Sequence, residues 1–527
     1  MPMTTYTMIY QILAAAVLYY ICPKRIRWII LLIYSCSLYA SGGGQAVCYL
    51  MCATLSTYFA ARVIERQGEK CKWILSSAKV LSRDEKKQIR AQMKKRQRVV
   101  LWLALGLNFG MLCILKYIPE MPGNLLSSAF SLAGREAPSV RLFAPLGISF
   151  FVFQSTGYVI DVYSGKYPAE KNLFKYALFV SFFPQLIQGP IGRYDALAPQ
   201  LITPHKLQVE NIRNGLMLML WGFFKKKVIA DLSLPLIDTV FSNQASYGGA
   251  VIVFAVLMYS LQQYADFSGG IDLVTGGAQL MGIQLEPNFR RPYFSVSLGD
   301  FWRRWHISLG SWMRDYVFYP FALTKGMQRL TKAARSMVGP DIARALPAAA
   351  GNILVFLLVG LWHGATGNYV AWGLYNGVIL AASALLEPVY KRFVERHAGV
   401  LNSKGFYVFR VLRTFVIVNI GWYFDRALCL KDAFSMLRKT ICVPRWEQAA
   451  DGTLLALGIS AGNFMVIFVA LIILFTVSVM QERGIHVRKW IMERPLAVRW
   501  GLLYGLMIFT MLFYAPDEVT GFIYAAF

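Results

Sequence analysis

The sequence predicts an all-α, polytopic membrane protein, and three observations carry that expectation. Of its 527 residues, 56% are hydrophobic and only 16% charged, against roughly 25% charged in ordinary soluble domains. Long apolar runs alternate with clusters of charge, and those at 99–118, 348–365 and 464–480 reach or approach the roughly 20 residues a helix needs to cross a bilayer. No stretch shows the short alternating strands of a membrane barrel. A backbone in lipid must satisfy its own hydrogen bonds, which leaves helices.

Three apolar runs come first, at about 8–22, 28–40 and 46–63. Pro23, Lys24, Arg25 and Arg27 separate the first two. Residues 65–98 read as a polar loop with twelve Lys/Arg against four Asp/Glu, which predicts a cytoplasmic loop. After three crossings that places the N-terminus outside the cytoplasm, and the basic turn at 24–27 agrees. The first run lacks a basic leader and cleavage site and reads as a retained helix. Further runs lie near 143–160, 174–187, 216–229 and 250–264. Residues 265–346 mix Gly, Arg, Trp and His with short apolar pieces and cross nothing simply. They read as re-entrant or interfacial structure. Pro347 is suited to the first residue of a helix. Runs resume at 348–365, 369–386, 409–422, 454–480 and 500–514, which makes roughly eleven to thirteen crossings in one membrane-embedded domain, 1–527.

The net charge of +26 would suggest nucleic acid in a soluble protein. Here Lys and Arg gather beside apolar runs, so the partner is the lipid bilayer and its anionic head groups. The eight cysteines form no framework. Cys48 and Cys52 lie four apart in an apolar run without His or further Cys, so they read as small hydrophobes and not metal ligands.

Residues 301–321 read FWRRWHISLGSWMRDYVFYPF. Laid on one helix over 302–316, Trp302, Trp305, His306, Leu309, Trp312, Met313 and Tyr316 share a face. Arg303, Arg304, Ser308, Ser311, Arg314 and Asp315 share the other. Such a helix suits an interface. Ser297 and Asp300 have capping-box spacing before it. His306 sits among tryptophans on the apolar face. A histidine there is either bonded to a backbone carbonyl or has a job. The apolar run at 348–365 ends GLWHGA, with His363 its one ionisable residue past Asn352. Ionisable groups in membrane segments are functional candidates, although a packing role at a helix end is the plain alternative. Gly360 and Gly364 leave room for close approach by a helix or substrate. His205, His397 and His486 lie in polar or basic stretches and read as solvated.

Other chemistries fit poorly. Neither histidine has the neighbours of a metal site, no GxSxG nucleophile elbow occurs, and the glycine pairs at 269–270 and 276–277 lack a P-loop lysine. Two histidines within a membrane protein, without nucleophile or metal, point to general-base chemistry on an activated acyl donor.

These residues resemble the membrane-bound O-acyltransferases, above all the bacterial branch of alginate O-acetylation and teichoic acid D-alanylation. The stretches that carry the resemblance are PLGISFFVFQSTGYVIDVY at 145–163, FVSFFPQLIQGPIGRY at 179–194 and GFFKKKVIAD at 222–231. Others are YADFSGGIDL at 264–273, NFRRPYFSVSLGDFWRRWHISLGSWMRDY at 288–316, GWYFDRA at 421–427 and the FIYAAF ending. The branch reads YFDFSGYSD where this chain has YADFSGGID, so Ala265, Gly270 and Ile271 depart from it.

The resemblance implies a ring of tilted helices around a thin centre with a central tunnel, and a catalytic core within 265–365. It implies that His363 is the essential histidine and His306 its active-site companion. Trp302, Arg303, Arg304, Trp305, Tyr264, Asp266, Ser268, Gln188 and Trp362 are the candidates for substrate binding. Arg303 and Arg304 would meet donor phosphates or lipid phosphates. Lys225, Lys226 and Lys227 read as interface anchors. Asp266 would orient a histidine or cap a helix. No cofactor is expected. The donor would be acetyl-CoA or a carrier-protein thioester. The acceptor would be a cell-envelope polysaccharide or a relay protein, with an extracytoplasmic partner completing acetylation. An unperturbed imidazole near pKa 6.5 suits the base. D-alanyl transfer to teichoic acid, and a non-enzymatic transporter of lipid-linked sugars, are the competing classes.

Overall fold

The structure, a computed structural model, describes residues 5–41, 43–77, 82–117, 145, 147–364, 366–397, 399 and 403–515. Phe143, Ala365 and the FIYAAF ending lie outside the described residues. Among the described residues the elements are helices, with no strand. Seven of them are long and apolar enough to cross a membrane, which makes this a multi-pass membrane protein.

By internal packing the chain divides into two compact units, 1–215 with 277–286, and 216–276 with 287–527. The first unit begins with α1 (Thr5–Ile21), α2 (Arg27–Ala40), α3 (Gly44–Ser77) and α4 (Arg83–Tyr117). It continues through α5 (Ile148–Ser164), α6 (Leu173–Ser181), α7 (Phe183–Gln188) and α8 (Tyr194–Ile202). The basic stretch 65–98 is not a loop. α3 runs through its first part and α4 through its second, on either side of 78–81. Lys, Arg, Gln and Glu are good helix formers, and charge alone does not stop a helix. Ser82 and Glu85 form a reciprocal capping box that starts α4 (3.2 and 2.8 Å). The two extensions are tied where Gln97 donates to the Ile64 carbonyl at 2.8 Å. His205 is half-buried and not solvated. Its Nε2 lies 2.8 Å from the Gln200 carbonyl, and its own carbonyl accepts from the buried Arg27 at 2.5 Å. His397 and His486 are exposed, as read.

α9 (Val209–Phe224) leads into the second unit through a π-helical turn (Lys225–Ala230) and α10 (Asp231–Ser242). α11 (Gly249–Leu280) then runs straight through YADFSGGID, where the sequence had suggested an interruption. After a 3₁₀ turn come α12 (Leu298–Arg304), α13 (Ile307–Met313), a second π-helical turn (Arg314–Phe318), α14 (Tyr319–Ala322) and α15 (Lys325–Val338). α16 (Pro340–His363) and α17 (Gly367–Arg396) form an antiparallel hairpin. They are followed by α18 (Lys404–Arg426), α19 (Leu430–Cys442), α20 (Ala461–Glu482), α21 (Val487–Met492) and α22 (Leu496–Leu512).

Pro340, and not Pro347, takes the first-turn position of α16. Pro347 lies inside that helix. Its missing N–H falls at the eighth residue, where the apolar hairpin around it outweighs the local penalty. The hairpin closes tightly because glycines face carbonyls: a Cβ on Gly360 would lie 2.5 Å from the Tyr369 carbonyl oxygen, and one on Gly373 2.4 Å from that of Phe356. The outward faces of these helices stay apolar. On α20 alone Met465, Phe468, Ile472 and Phe475 are exposed, a contiguous patch that suits lipid.

Candidate active site

The helix laid over 302–316 is broken at His306. α12 ends at Arg304 and α13 begins at Ile307. His306 itself takes a left-handed conformation, φ +47°. For a non-glycine residue this costs about 1–3 kcal/mol and persists where surroundings over-determine it. Here they do. The segment before α12 lies against the break. Ile307 N–H donates to the Asn288 carbonyl (3.0 Å), Ser308 N–H to Asn288 Oδ1 (2.9 Å) and Arg290 N–H to the Arg304 carbonyl (2.9 Å). Asn288 Oδ1 also lies 3.4 Å from His306 Nδ1. Ser297 caps α12 as read, accepting from Asp300 N–H at 3.1 Å. Asp300 reaches back to Val296 N–H (3.2 Å).

The break turns the His306 ring inward. It meets Phe267 edge-on at 4.8 Å between centroids, and burial pushes its imidazole down to about 3. His306 lies outside the seven crossing helices. It is neutral at physiological pH and acts as a hydrogen-bonding group, not a cation. His363 ends α16. Its ring stacks on Tyr369 (5.9 Å) and stands edge-on to Trp372 (5.0 Å). Trp362 lies against both histidines, 4.8 Å from His363 and 6.2 Å from His306.

The two histidines line one cavity of 440 Å³, together with Trp302, Trp305, Trp372, Trp422, Gln263 and Asp425. Its size and its apolar walls with a few polar groups are those of a small-molecule site. Trp302 is fixed by its Nε1–H, which donates to Asn376 Oδ1 at 3.1 Å. Arg303 lines the cavity with an exposed guanidinium. Arg304 does not line it. It is held in ion pairs with Asp300 (3.2 Å) and Glu482 (3.0 Å).

Three other expected residues belong to a different assembly. Lys225, Lys226 and Lys227 are buried, not interfacial anchors. The π-helical turn points all three at carboxylates. Lys225 pairs with Asp272 (2.7 Å), Lys226 with Asp231 (2.9 Å) and with Asp266, and Lys227 with Asp231 (2.8 Å). Asp266, inside α11, therefore answers a lysine and does not cap a helix. Ser268 accepts from Lys225 Nζ at 2.7 Å. Tyr264 packs on Phe289, Tyr293 and Trp305 behind the cavity. Gln188 ends α7 in the first unit and is fully buried there.

The sequence reading missed Asn288, Gln263, Trp372 and Asp425. Asp425 carried a signal: like His363, it is an ionisable residue at the end of an apolar run. The others carried none, since only the fold brings them to the histidines.

A multi-pass helical membrane protein with two buried histidines facing one aromatic cavity is the class the geometry defines. Residues 168–338 match the family model MBOAT, membrane-bound O-acyltransferase family. The chain is 35% identical over 378 residues to a "probable alginate O-acetylase AlgI" of Pseudomonas syringae pv. tomato, covering 70% of this chain and 66% of that protein. It is 30% identical over 458 residues to the protein of the same name in Pseudomonas putida, covering 86% and 83%. It is 31% identical over 367 residues to a "peptidoglycan O-acetyltransferase" of Helicobacter pylori, covering 64% of each. The first and third matches thus span just under two thirds of the relative's length. The chain belongs to the membrane-bound O-acyltransferase family, a family of acyl-transferring enzymes.

Proposed function

We propose that this protein, as one membrane-embedded domain, transfers an acyl group onto a hydroxyl of a cell-envelope polysaccharide or of a relay protein. The group is acetyl, the donor acetyl-CoA, and His363 the general base. The observation that carries the reading is the convergence of His306 and His363 on one aromatic cavity. Relatives named for O-acetylation of alginate and of peptidoglycan support acetyl as the group.

His363 takes the proton of the acceptor hydroxyl while its oxygen attacks the thioester carbonyl. The new C–O bond forms, the C–S bond breaks, and the imidazolium returns its proton to the leaving thiolate. His306, neutral, positions the acceptor: its Nδ1–H faces Asn288 Oδ1 (3.4 Å), which leaves Nε2 to accept from the acceptor hydroxyl. The tryptophan walls exclude water, which would otherwise compete for the thioester. The protein works in the cell membrane with its N-terminus outside the cytoplasm, and an extracytoplasmic partner completes polymer acetylation.

The test is label transfer from acetyl-CoA in membranes carrying wild type or His363→Gln. General-base help is worth about 10²–10⁴ in rate, so a loss of that size is expected. Near-normal turnover by a folded His363→Gln protein overturns the assignment. Transfer only from a carrier-protein thioester would replace acetyl with another acyl group. Substrate movement that survives loss of both histidines would favour a transporter.

A further inference from the structure

The surface of α15 carries charge that no protein group answers. Thr324 fixes the start of the helix, accepting from Met327 N–H at 3.3 Å. At about 100° per residue, Lys325, Arg329, Lys332 and Arg335 fall within an arc of about 120°. All four are exposed, and none makes a side-chain hydrogen bond or ion pair with a described residue. No Asp or Glu occurs between Asp315 and Asp341. Elsewhere in the same unit, exposed cations have carboxylates beside them: Arg303 with Asp300 (3.7 Å), Arg344 with Asp341 (3.8 Å) and Lys391 with Glu387 (2.8 Å).

The opposite face is apolar and only partly covered. α15 packs against α16, with Met327 buried and Ala334 half-buried. Leu330 and Met337, two turns apart on that face, are 52% and 85% exposed. A soluble partner that met the basic face would leave those side chains in water. A bilayer takes both faces, the apolar side chains at its acyl boundary and the long cationic stems reaching to the head groups. The place of α15 in the chain agrees. Gly339 (φ +80°) turns it directly into Pro340 of the crossing helix α16, whose apolar run starts only after Arg344. The antiparallel hairpin brings the end of α17 to the same level. There Tyr390 and Phe393 are exposed among Lys391, Arg392 and Arg396, a mixture of aromatic and basic side chains that suits the membrane–water boundary.

We propose that α15 is an interfacial helix that binds the head groups of anionic phospholipids through Lys325, Arg329, Lys332 and Arg335. This sets the level of the cavity in the bilayer. The π-helical turn and α14 lead into α15 and supply Arg314, Phe318 and Tyr319 to the cavity wall, so that wall lies close to the head-group layer. The surface is independent of which reaction the cavity performs.

The test is hydrogen exchange of the purified full chain in nanodiscs of phosphatidylcholine alone and of equal parts phosphatidylcholine and phosphatidylglycerol. Backbone amides of α15 should exchange about tenfold more slowly, or slower still, in the anionic discs, because each cation near such a surface adds to the attraction. Those of α22 should not differ. Added salt should shrink the difference, since the four charges are exposed. The variant Lys325→Gln/Arg329→Gln/Lys332→Gln/Arg335→Gln keeps good helix formers at exposed positions and should exchange alike in the two discs, whereas Lys325→Arg/Lys332→Arg should behave as wild type. If the quadruple variant does not fold, the salt dependence of the wild type decides. Equal exchange of wild type in the two discs, a difference that salt leaves unchanged, or one that survives in the quadruple variant overturns the proposal. Protection by polyglutamate in phosphatidylcholine discs, equal to that given by phosphatidylglycerol, also overturns it and marks the face as a protein-docking surface.

Discussion

Replacing Lys226 by methionine tests the buried charge cluster directly. Lys226 is 1% exposed and pairs with Asp266, 0% exposed, and with Asp231, 6% exposed. Removing one partner of a buried ion pair costs about 3–5 kcal/mol, because the remaining charge stays desolvated. Asp231 retains Lys227 at 2.8 Å, so the loss falls on Asp266 and belongs at the low end, about 3 kcal/mol. That is roughly a hundredfold in the folding equilibrium. The assay is reversible unfolding in mixed micelles of increasing SDS fraction, followed by tryptophan fluorescence. The double variant Lys226→Met/Asp266→Leu removes both charges and should recover at least half of the loss. Lys225→Met should cost less, since its partner Asp272 is 24% exposed and water can take over. Wild-type stability for Lys226→Met, or a double variant less stable than the single, refutes the reasoning.

Two further expectations bear on the cavity. With its pKa pushed down to about 3, His306 is neutral at every pH above that value and does not titrate between pH 5 and 8. His306→Gln should therefore lower the rate of acyl transfer without moving the acidic limb of the pH–rate profile. A limb displaced by more than about half a unit would show that His306 carries a proton in the working range. Gly373→Val should force α16 and α17 apart, because its Cβ would sit 2.4 Å from the Phe356 carbonyl oxygen. Overpacking of this kind costs about 1–3 kcal/mol and should cut label transfer at least tenfold, while Gly505→Ala, with nothing within 4 Å of its Cβ, should be neutral.

Much of the fold was legible because membrane insertion imposes a one-dimensional rule: enough consecutive apolar residues make a helix. His363 was legible for the same reason, as an ionisable residue where lipid-embedded chains rarely tolerate one. Boundaries were less so. The charged stretch 65–98 looked like a loop, yet its residues are good helix formers, and the helices run on into it. The runs at 174–187 and 216–229 are interrupted by Phe182 and by the π-helical turn. Hydropathy averages over such local changes.

The seven-residue spacing of Trp302, Trp305 and Leu309 fitted one amphipathic helix, because periodicity cannot register a single left-handed residue. The break at His306 is made by Asn288, eighteen residues earlier, whose carbonyl and side chain take the freed N–H groups. Likewise Lys225 and Lys226 read as anchors because their carboxylate partners, Asp272 and Asp266, lie forty residues or more further on, whereas the partner of Lys227, Asp231, is four residues away.

The sequence by itself determined that this chain is helical, lies in a membrane, belongs with acyl-transferring enzymes and holds two unusual histidines. Each of these rests on composition, on a run of neighbours or on a contiguous motif. Only the tertiary structure decided that His306 and His363 share a cavity, that Arg304 and the lysines are held in ion pairs, and that Asp425 is bonded to Tyr259 and Gln263 beside that cavity. Those facts depend on residues far apart in the chain being held within hydrogen-bonding or packing distance, which no local pattern encodes.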